Sequence, residues 1–191
     1  MTTQRRVLIA EDEALIRLDL KEMLTEEGYD VVGEAGDGEQ AVALATELKP
    51  DLVILDVKMP KKDGIDAAGE ITEAQISPVV ILTAFSQRDL IERATDAGAM
   101  AYLVKPFTKS DLLPAIELAI ARYSEMVSLR AEVADITERL AVRKIIDRAK
   151  GLLQAKQKMT EPEAFRWLQR AAMDRRTSMK EISQAVIDGL S

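Results

Sequence analysis

Five residues in the first part of the sequence carry side chains suited to one reaction. Glu11 and Asp12 directly follow the apolar run Val7–Ala10, and Asp56 closes the run Leu52–Leu55. Thr83 follows Val79–Leu82, and Lys105, with Pro106 behind it, follows Ala101–Val104. If these runs are parallel strands of one sheet, their carboxyl ends share an edge. Three carboxylates, a hydroxyl and an ammonium then converge there. Adjacent carboxylates repel strongly unless a cation sits among them. The chain has no histidine and no cysteine, so the expected ion is a hard one held by oxygen, magnesium with several waters. Magnesium beside a carboxylate and a lysine suits phosphoryl transfer onto that carboxylate, with charge on the equatorial oxygens neutralised while Asp56 attacks in line. A single carboxylate after a strand is ordinarily only a helix cap; the argument rests on five groups at matching strand ends.

The elements that must position them follow from periodicity. The runs Val7–Ala10, Val31–Val32, Leu52–Leu55, Val79–Leu82 and Ala101–Val104 are rich in β-branched residues and lack polar alternation. Such runs fit strands buried on both faces of a parallel sheet. Between them lie the amphipathic stretches Ala14–Glu26, Glu39–Leu48, Ile65–Glu73 and Arg88–Ala97, with turn signals at Glu27-Gly28, Gly36-Asp37-Gly38, Lys62-Asp63-Gly64 and Ala97-Gly98. The alternation predicts an α/β fold, a doubly wound five-stranded parallel sheet with right-handed crossovers.

With 191 residues, 47% of them apolar, the chain has room for one α/β domain and a smaller partner. No apolar run approaches a membrane span, and acidic residues interrupt the N-terminal patch too early for a signal peptide. The expected compartment is the cytoplasm, without membrane partners. The net charge of −7 hides an asymmetry: residues 1–121 carry 12 basic and 23 acidic side chains, whereas residues 143–180 carry 11 basic and 4 acidic. An acidic front and a basic back imply different partners.

The tail reads as three helices. The first starts near Ser110 or Asp111, which places Pro114 in its first turn, and meets no breaker before Gly151. Within it Met126, Leu129, Val133, Ile136 and Leu140 are spaced 3, 4, 3, 4, a heptad seam of just over two heptads. It fits either an amphipathic helix lying on the first domain or a short coiled coil that dimerises the protein. Thr160-Glu-Pro-Glu163 and Ser178-Met-Lys-Glu181 have capping-box spacing and open helices at about 161–174 and 179–190. Phe165, Leu168 and Ala172 are expected to pack on the long helix. Trp167 is read as a core residue before a base-stacking platform, and Gly151 as a point of close approach by another helix or by RNA. Lys144, Arg148, Lys150, Arg166, Arg170, Arg175, Arg176 and Lys180 cluster on this short bundle as a phosphate-facing surface would.

Residues 5–121 resemble the receiver domain of bacterial response regulators. The matching features are Glu11-Asp12, Asp56 in Asp-Val-Lys-Met-Pro-Lys-Lys-Asp-Gly, Thr83-Ala84 and Lys105-Pro106. The resemblance implies a flavodoxin-like fold in which Asp56 takes a phosphoryl group from a sensor histidine kinase. It implies magnesium held by Glu11, Asp12, Asp56 and the Lys58 backbone carbonyl. It also places Thr83, Ala84 and Lys105 at the phosphoryl group. Tyr102 becomes an aromatic that turns inward in the active state, unless it is simply a half-buried tyrosine at the strand edge.

The tail is similar to the ANTAR module over residues 130–190, after a linker helix at 122–142. The likeness lies in Arg148-Ala-Lys-Gly-Leu-Leu153, then Ala164, Phe165, Leu168 and Arg170, then Met173-Asp-Arg-Arg-Thr-Ser178. It implies binding of paired RNA hairpins in nascent transcripts, with Lys150, Arg166, Arg170, Arg175 and Arg176 as candidate contacts. The function expected is that of an RNA-binding antiterminator and not of an enzyme. A DNA-binding regulator and a protein-interaction switch stand as alternatives.

Overall fold

Five short parallel strands pair in the order β2-β1-β3-β4-β5, the arrangement that a doubly wound sheet reaches by crossing once between β1 and β3. The computed structural model describes residues 4–84 and 88–190, apart from the side chains of Arg88, Asp89 and Leu190. In chain order the elements are β1 (Arg6–Ala10), α1 (Ala14–Glu26), β2 (Asp30–Ala35), α2 (Gly38–Leu48), β3 (Leu52–Asp56) and α3 (Gly64–Glu73). There follow β4 (Val79–Thr83), α4 (Arg88–Asp96), β5 (Ala101–Val104), α5 (Lys109–Gln157), α6 (Glu161–Arg175) and α7 (Met179–Leu190). The chain divides between Val127 and Ser128 into two compact units.

In the first unit the uninterrupted apolar strands are buried on both faces, because helices cover each. Leu8, Ala10, Val53, Leu55 and Ile81 face Ala41, Ala45, Ala67, Ala68, Ile71 and Ala94 of α2, α3 and α4. The alternate residues Val7, Ile9, Leu52, Ile54, Val80 and Leu82 face Leu20 and Leu24 of α1 and Leu112, Ile116 and Ala119 of α5. The small residues on α2 and α3 let those helices lie close to the sheet. Gly28 ends α1 with φ of +84°, a conformation that costs glycine little. β2 is longer than Val31–Val32 because pairing with β1 continues past a register shift between Val7 and Leu8.

α5 begins at Lys109, earlier than Ser110, since the Asp111 carboxylate accepts hydrogen bonds from the Thr108 backbone N–H at 2.9 Å and its hydroxyl at 2.7 Å. Pro114 therefore stands in the second turn and not the first. Its missing N–H leaves one helical carbonyl without its usual donor.

The second unit has its own core, where Ala149 and Leu153 of α5 meet Ala164, Leu168 and Ala172 of α6 and Ile182, Val186 and Ile187 of α7. α6 and α7 start at capping boxes, with the Glu163 and Glu181 carboxylates accepting from the Thr160 and Ser178 backbone N–H groups at 2.8 and 3.1 Å. Leu168 and Ala172 pack on α5 as expected, and the core placement of Trp167 is corrected. The buried face of α6 is the row Ala164, Leu168 and Ala172, whereas Phe165 is 44% and Trp167 40% exposed. A row spaced by four residues defines one face, and both aromatics project from its flanks. Among the described residues no atom comes within 4 Å of a β-carbon placed on Gly151, so no other described helix packs closely there. Leu129, Val133, Ile136 and Leu140 are 49 to 62% exposed, a seam open to solvent.

Candidate phosphoacceptor site and output module

Parallel register brings the expected groups to one sheet edge. Asp56 and Thr83 are the last residues of neighbouring strands β3 and β4, with Asp56 in register with Leu82. Glu11 follows β1 and donates its backbone N–H to Ala35 O at 3.0 Å, and the Lys105 N–H donates to Thr83 O at 2.8 Å. These backbone bonds extend the ladders one residue past the strands and so aim the side chains outward.

Glu11, Asp12 and Asp56 each offer a carboxylate oxygen, and the three lie within 4.8 Å of one another. Glu11 is fully buried, Asp56 is 5% exposed and Asp12 faces solvent. Lys105 Nζ lies 2.5 Å from Glu11 Oε2 and 2.6 Å from Asp56 Oδ1. The other Asp56 oxygen accepts the Lys58 backbone N–H at 2.7 Å. Burial pushes the Glu11 carboxyl above its ordinary value; the Lys105 hydrogen bond pulls it back, and the charge of Asp56 adds to the rise. Burial opposes the charge on Lys105, yet hydrogen bonds and charge from Asp56 and Glu11 outweigh it and hold the ammonium above its ordinary value. Three carboxylates against one ammonium leave the pocket short of positive charge, and an all-oxygen donor set of this kind suits a hard divalent cation. Thr83 is buried and Ala84 exposed beside it. Tyr102, on edge strand β5, is 46% exposed.

Two supporting residues carried no sequence signal strong enough to assign them. Arg17, in the first turns of α1, donates to the Glu11 carbonyl oxygen and lies 3.5 Å from Glu34, tying the acidic loop to β2. Gly64 donates its N–H to Val57 O at 2.9 Å. A β-carbon there would meet the Asp56 carbonyl oxygen at 1.9 Å. The Asp63-Gly64 pair marked a turn; the need for glycine in close packing on the acceptor residue emerges only in the folded chain.

In the second unit the basic candidates separate into two groups. Lys150 is 15% exposed, its ammonium shared between Asp147 and Glu161 at 2.8 Å each, and Lys180 lies 3.4 Å from Glu138. Arg166 is exposed and donates Nε–H to Pro162 O at 3.2 Å. Arg170, Arg175 and Arg176 are exposed, and among the described residues none has a carboxylate within ion-pair distance.

Comparison with known families decides what these two units are. Residues 7–117 match the response regulator receiver domain and residues 134–187 the ANTAR domain. The chain belongs to the response regulators that join a receiver to an ANTAR domain. This response regulator is 68% identical over 186 residues to the transcriptional regulatory protein PdtaR of Mycobacterium tuberculosis, covering 97% of this chain and 91% of that one. Its receiver half is 41% identical to the chemotaxis protein CheY of Thermotoga maritima, over 59% of this chain and 94% of the relative. Among solved structures, the signal receiver domain of a modulated diguanylate cyclase from Desulfovibrio desulfuricans superposes with a TM-score of 0.60 at 31% identity, over 64% of this chain and 98% of that one. A CheX-CheY-BeF3-Mg+2 complex from Borrelia burgdorferi superposes with a TM-score of 0.57 at 30% identity, over 59% and 86%. The paired modules make this response regulator a phosphorylation-coupled, RNA-binding regulator of transcription antitermination. Both are signal-transduction modules and not enzymes. Among the described residues no helix is long and apolar enough to cross a membrane.

Proposed function

We propose that Asp56 is the phosphoacceptor for a sensor histidine kinase in the cytoplasm, and that its phosphorylation governs binding of hairpin RNA by the basic module at 130–190. The observation that carries this is the buried Asp56 carboxylate at the end of β3, fixed between Lys105 Nζ at 2.6 Å and the Lys58 N–H at 2.7 Å. A carboxylate oxygen attacks the phosphorus of a phosphohistidine, the P–N bond breaks, and an acyl phosphate remains on Asp56. Lys105 neutralises charge on the transferred group, and the Thr83 hydroxyl donates to one of its oxygens.

Glu11, Asp12, Asp56 and the Lys58 carbonyl would hold magnesium, a reading supported by the beryllofluoride and magnesium complex of the Borrelia burgdorferi relative. The ion supplies charge neutralisation for the incoming phosphoryl oxygens. Tyr102 turns inward from its exposed edge position as Thr83 is drawn to the phosphoryl group, reshaping the face beside β5. The open seam from Met126 to Leu140 supports self-association that would present two output modules to two hairpins.

Four of the candidate contacts, Arg166, Arg170, Arg175 and Arg176, make no ion pair among the described residues, as phosphate-facing arginines should not. Lys150 would contribute only after leaving Asp147 and Glu161. The test is a gel-shift titration of tandem-hairpin RNA and of duplex DNA at equal salt, with and without a small phosphodonor and magnesium. The expected result is RNA binding that tightens on phosphorylation, and an Asp56→Ala protein that keeps basal affinity without that gain. An equal phosphodonor response from Asp56→Ala would overturn the assignment of the acceptor. Absence of RNA binding in both states would overturn that of the module.

A further inference from the structure

The chain has one tryptophan, and it lies where a soluble helix ordinarily places a polar residue. α6 buries the row Ala164, Leu168 and Ala172. At 100° per residue, Phe165 and Trp167 leave the helix on opposite flanks of that row, and the outer face between them carries Arg166, Arg170 and Met173. The two aromatics differ in surroundings. Phe165 borders a groove of about 520 Å³ lined by Val142 and Ile146 of α5, so it has apolar neighbours within its own unit. Trp167 is not among the residues lining that groove, and 40% of it is open to water.

An exposed aromatic standing singly is ordinary. What distinguishes Trp167 is its company. Arg166 is its chain neighbour, and Arg170, three residues on, stands beside it on the helix surface. Arg166 is exposed, donates Nε–H to Pro162 O at 3.2 Å and keeps its remaining guanidinium donors beyond that bond. Arg170 has no ion pair among the described residues. Two acidic residues share this flank. Glu163 is held by the Thr160 backbone N–H and hydroxyl at 2.8 and 2.7 Å, and Asp174 lies about two turns beyond Trp167. A planar apolar face with two guanidinium groups on its outer side matches the chemistry of an unpaired nucleotide, whose base stacks while its phosphates are paired.

We propose that Trp167 is a stacking platform for one unpaired loop base of the RNA, with Arg166 and Arg170 on its adjacent phosphates. This rests on the reading of the tail as an RNA-binding module. It assigns the loop, as opposed to the stem, to this flank of α6, since paired bases of an A-form stem offer no free face.

The test uses the full-length protein with phosphodonor and magnesium, and an RNA of two tandem hairpins with short unpaired loops. Because the chain holds a single tryptophan, its intrinsic fluorescence reports the contact directly. The emission should be quenched along the same titration curve that the gel shift follows. Trp167→Ala should weaken binding about 5- to 150-fold, the range that loss of one stacked base gives, while Trp167→Phe, which keeps an aromatic face, should recover most of it. The salt dependence of Trp167→Ala should match the wild type, whereas Arg170→Ala should lower its slope by about one unit. An abasic nucleotide at the stacked loop position should weaken wild type and leave Trp167→Ala unaffected. Far-UV circular dichroism checks that each variant is folded, and the partial exposure of the side chain favours that. Unquenched emission with wild-type affinity in Trp167→Ala would overturn the platform while leaving RNA binding intact. Failure of the wild type to bind the RNA at all would overturn both readings.

Discussion

Gly64 lies so close to Asp56 that a β-carbon on it would stand 1.9 Å from the Asp56 carbonyl oxygen, far inside contact distance. The obstacle is backbone at the end of a central strand, so neither partner can rotate away. Gly64→Ala must push the start of α3 from the end of β3 and carry the acceptor carboxylate with it. The expected cost is about 1–3 kcal/mol of stability, as for other overpacked sites, read from the urea midpoint. The larger effect should be on chemistry: an acceptor displaced by about 1 Å loses on the order of 100-fold in rate. Small-molecule phosphodonor uptake by protein that is fully folded at the assay temperature measures this, and an unchanged rate would count against the positioning role.

Asp37 caps α2 through the Gln40 N–H at 2.8 Å and pairs with Lys61 Nζ at 2.6 Å. The Lys61 hydrogen bond foremost, then that of Gln40, holds its carboxyl below the ordinary value of 3.8. A depressed folded-state pKa means that the contact stabilises the fold above pH 3.8 and is lost as pH falls through the lower, folded value. Lys61 is held above its ordinary 10.5, chiefly by the same hydrogen bond, so the pair also weakens as pH rises beyond that. Asp37→Asn should therefore lower the melting temperature at pH 7 and narrow its gap from wild type below pH 3.8. A gap that stays constant through the acid range would show that the charge of Asp37 contributes nothing.

Val133 and Ile136 are 62% and 49% exposed on α5. Changing both to Glu removes apolar surface without opening a core. If two chains pair along this seam, the double variant should weaken self-association by at least about tenfold, because each charge would have to be desolvated in the pair. Sedimentation velocity across a concentration series checks it, with and without phosphodonor. Helix content should not change, and dimers of unaltered strength would place any self-association elsewhere.

Arg176 ends α6 in a left-handed conformation, φ of 52°, its N–H bonded back to Met173 O at 3.2 Å. Glycine is the residue this geometry favours. Arg176→Gly should hold or slightly raise the melting temperature, by about 1 kcal/mol or less, while removing a candidate phosphate contact. The expected signature is weaker RNA binding with a salt slope smaller by about one unit, in a protein that is no less stable. Unchanged affinity would remove Arg176 from the interface.

The alternation of apolar runs and amphipathic stretches was enough by itself to identify the five strands and to place Glu11, Asp56, Thr83 and Lys105 at their carboxyl ends, while their order in the sheet came from the structure. Parallel crossovers of short length and fixed hand permit few arrangements, and every strand end then falls on one edge. Capping boxes at Thr160 and Ser178 were legible for the same reason: their determinants lie within four residues of one another. What only the tertiary structure decided depends on neighbours distant in sequence. Leu168 and Ala172 were legible as the packing face of α6, but the size of Trp167 pointed it to the core, whereas the packing of α5 and α7 took Ala164, Leu168 and Ala172 and left it exposed. Lys150 read as a candidate RNA contact, whereas the fold engages its ammonium with Asp147 and, across the turn, Glu161. The intimacy of Gly64 with Asp56 was likewise invisible, because a glycine's lack of a side chain acquires meaning only when something occupies the space.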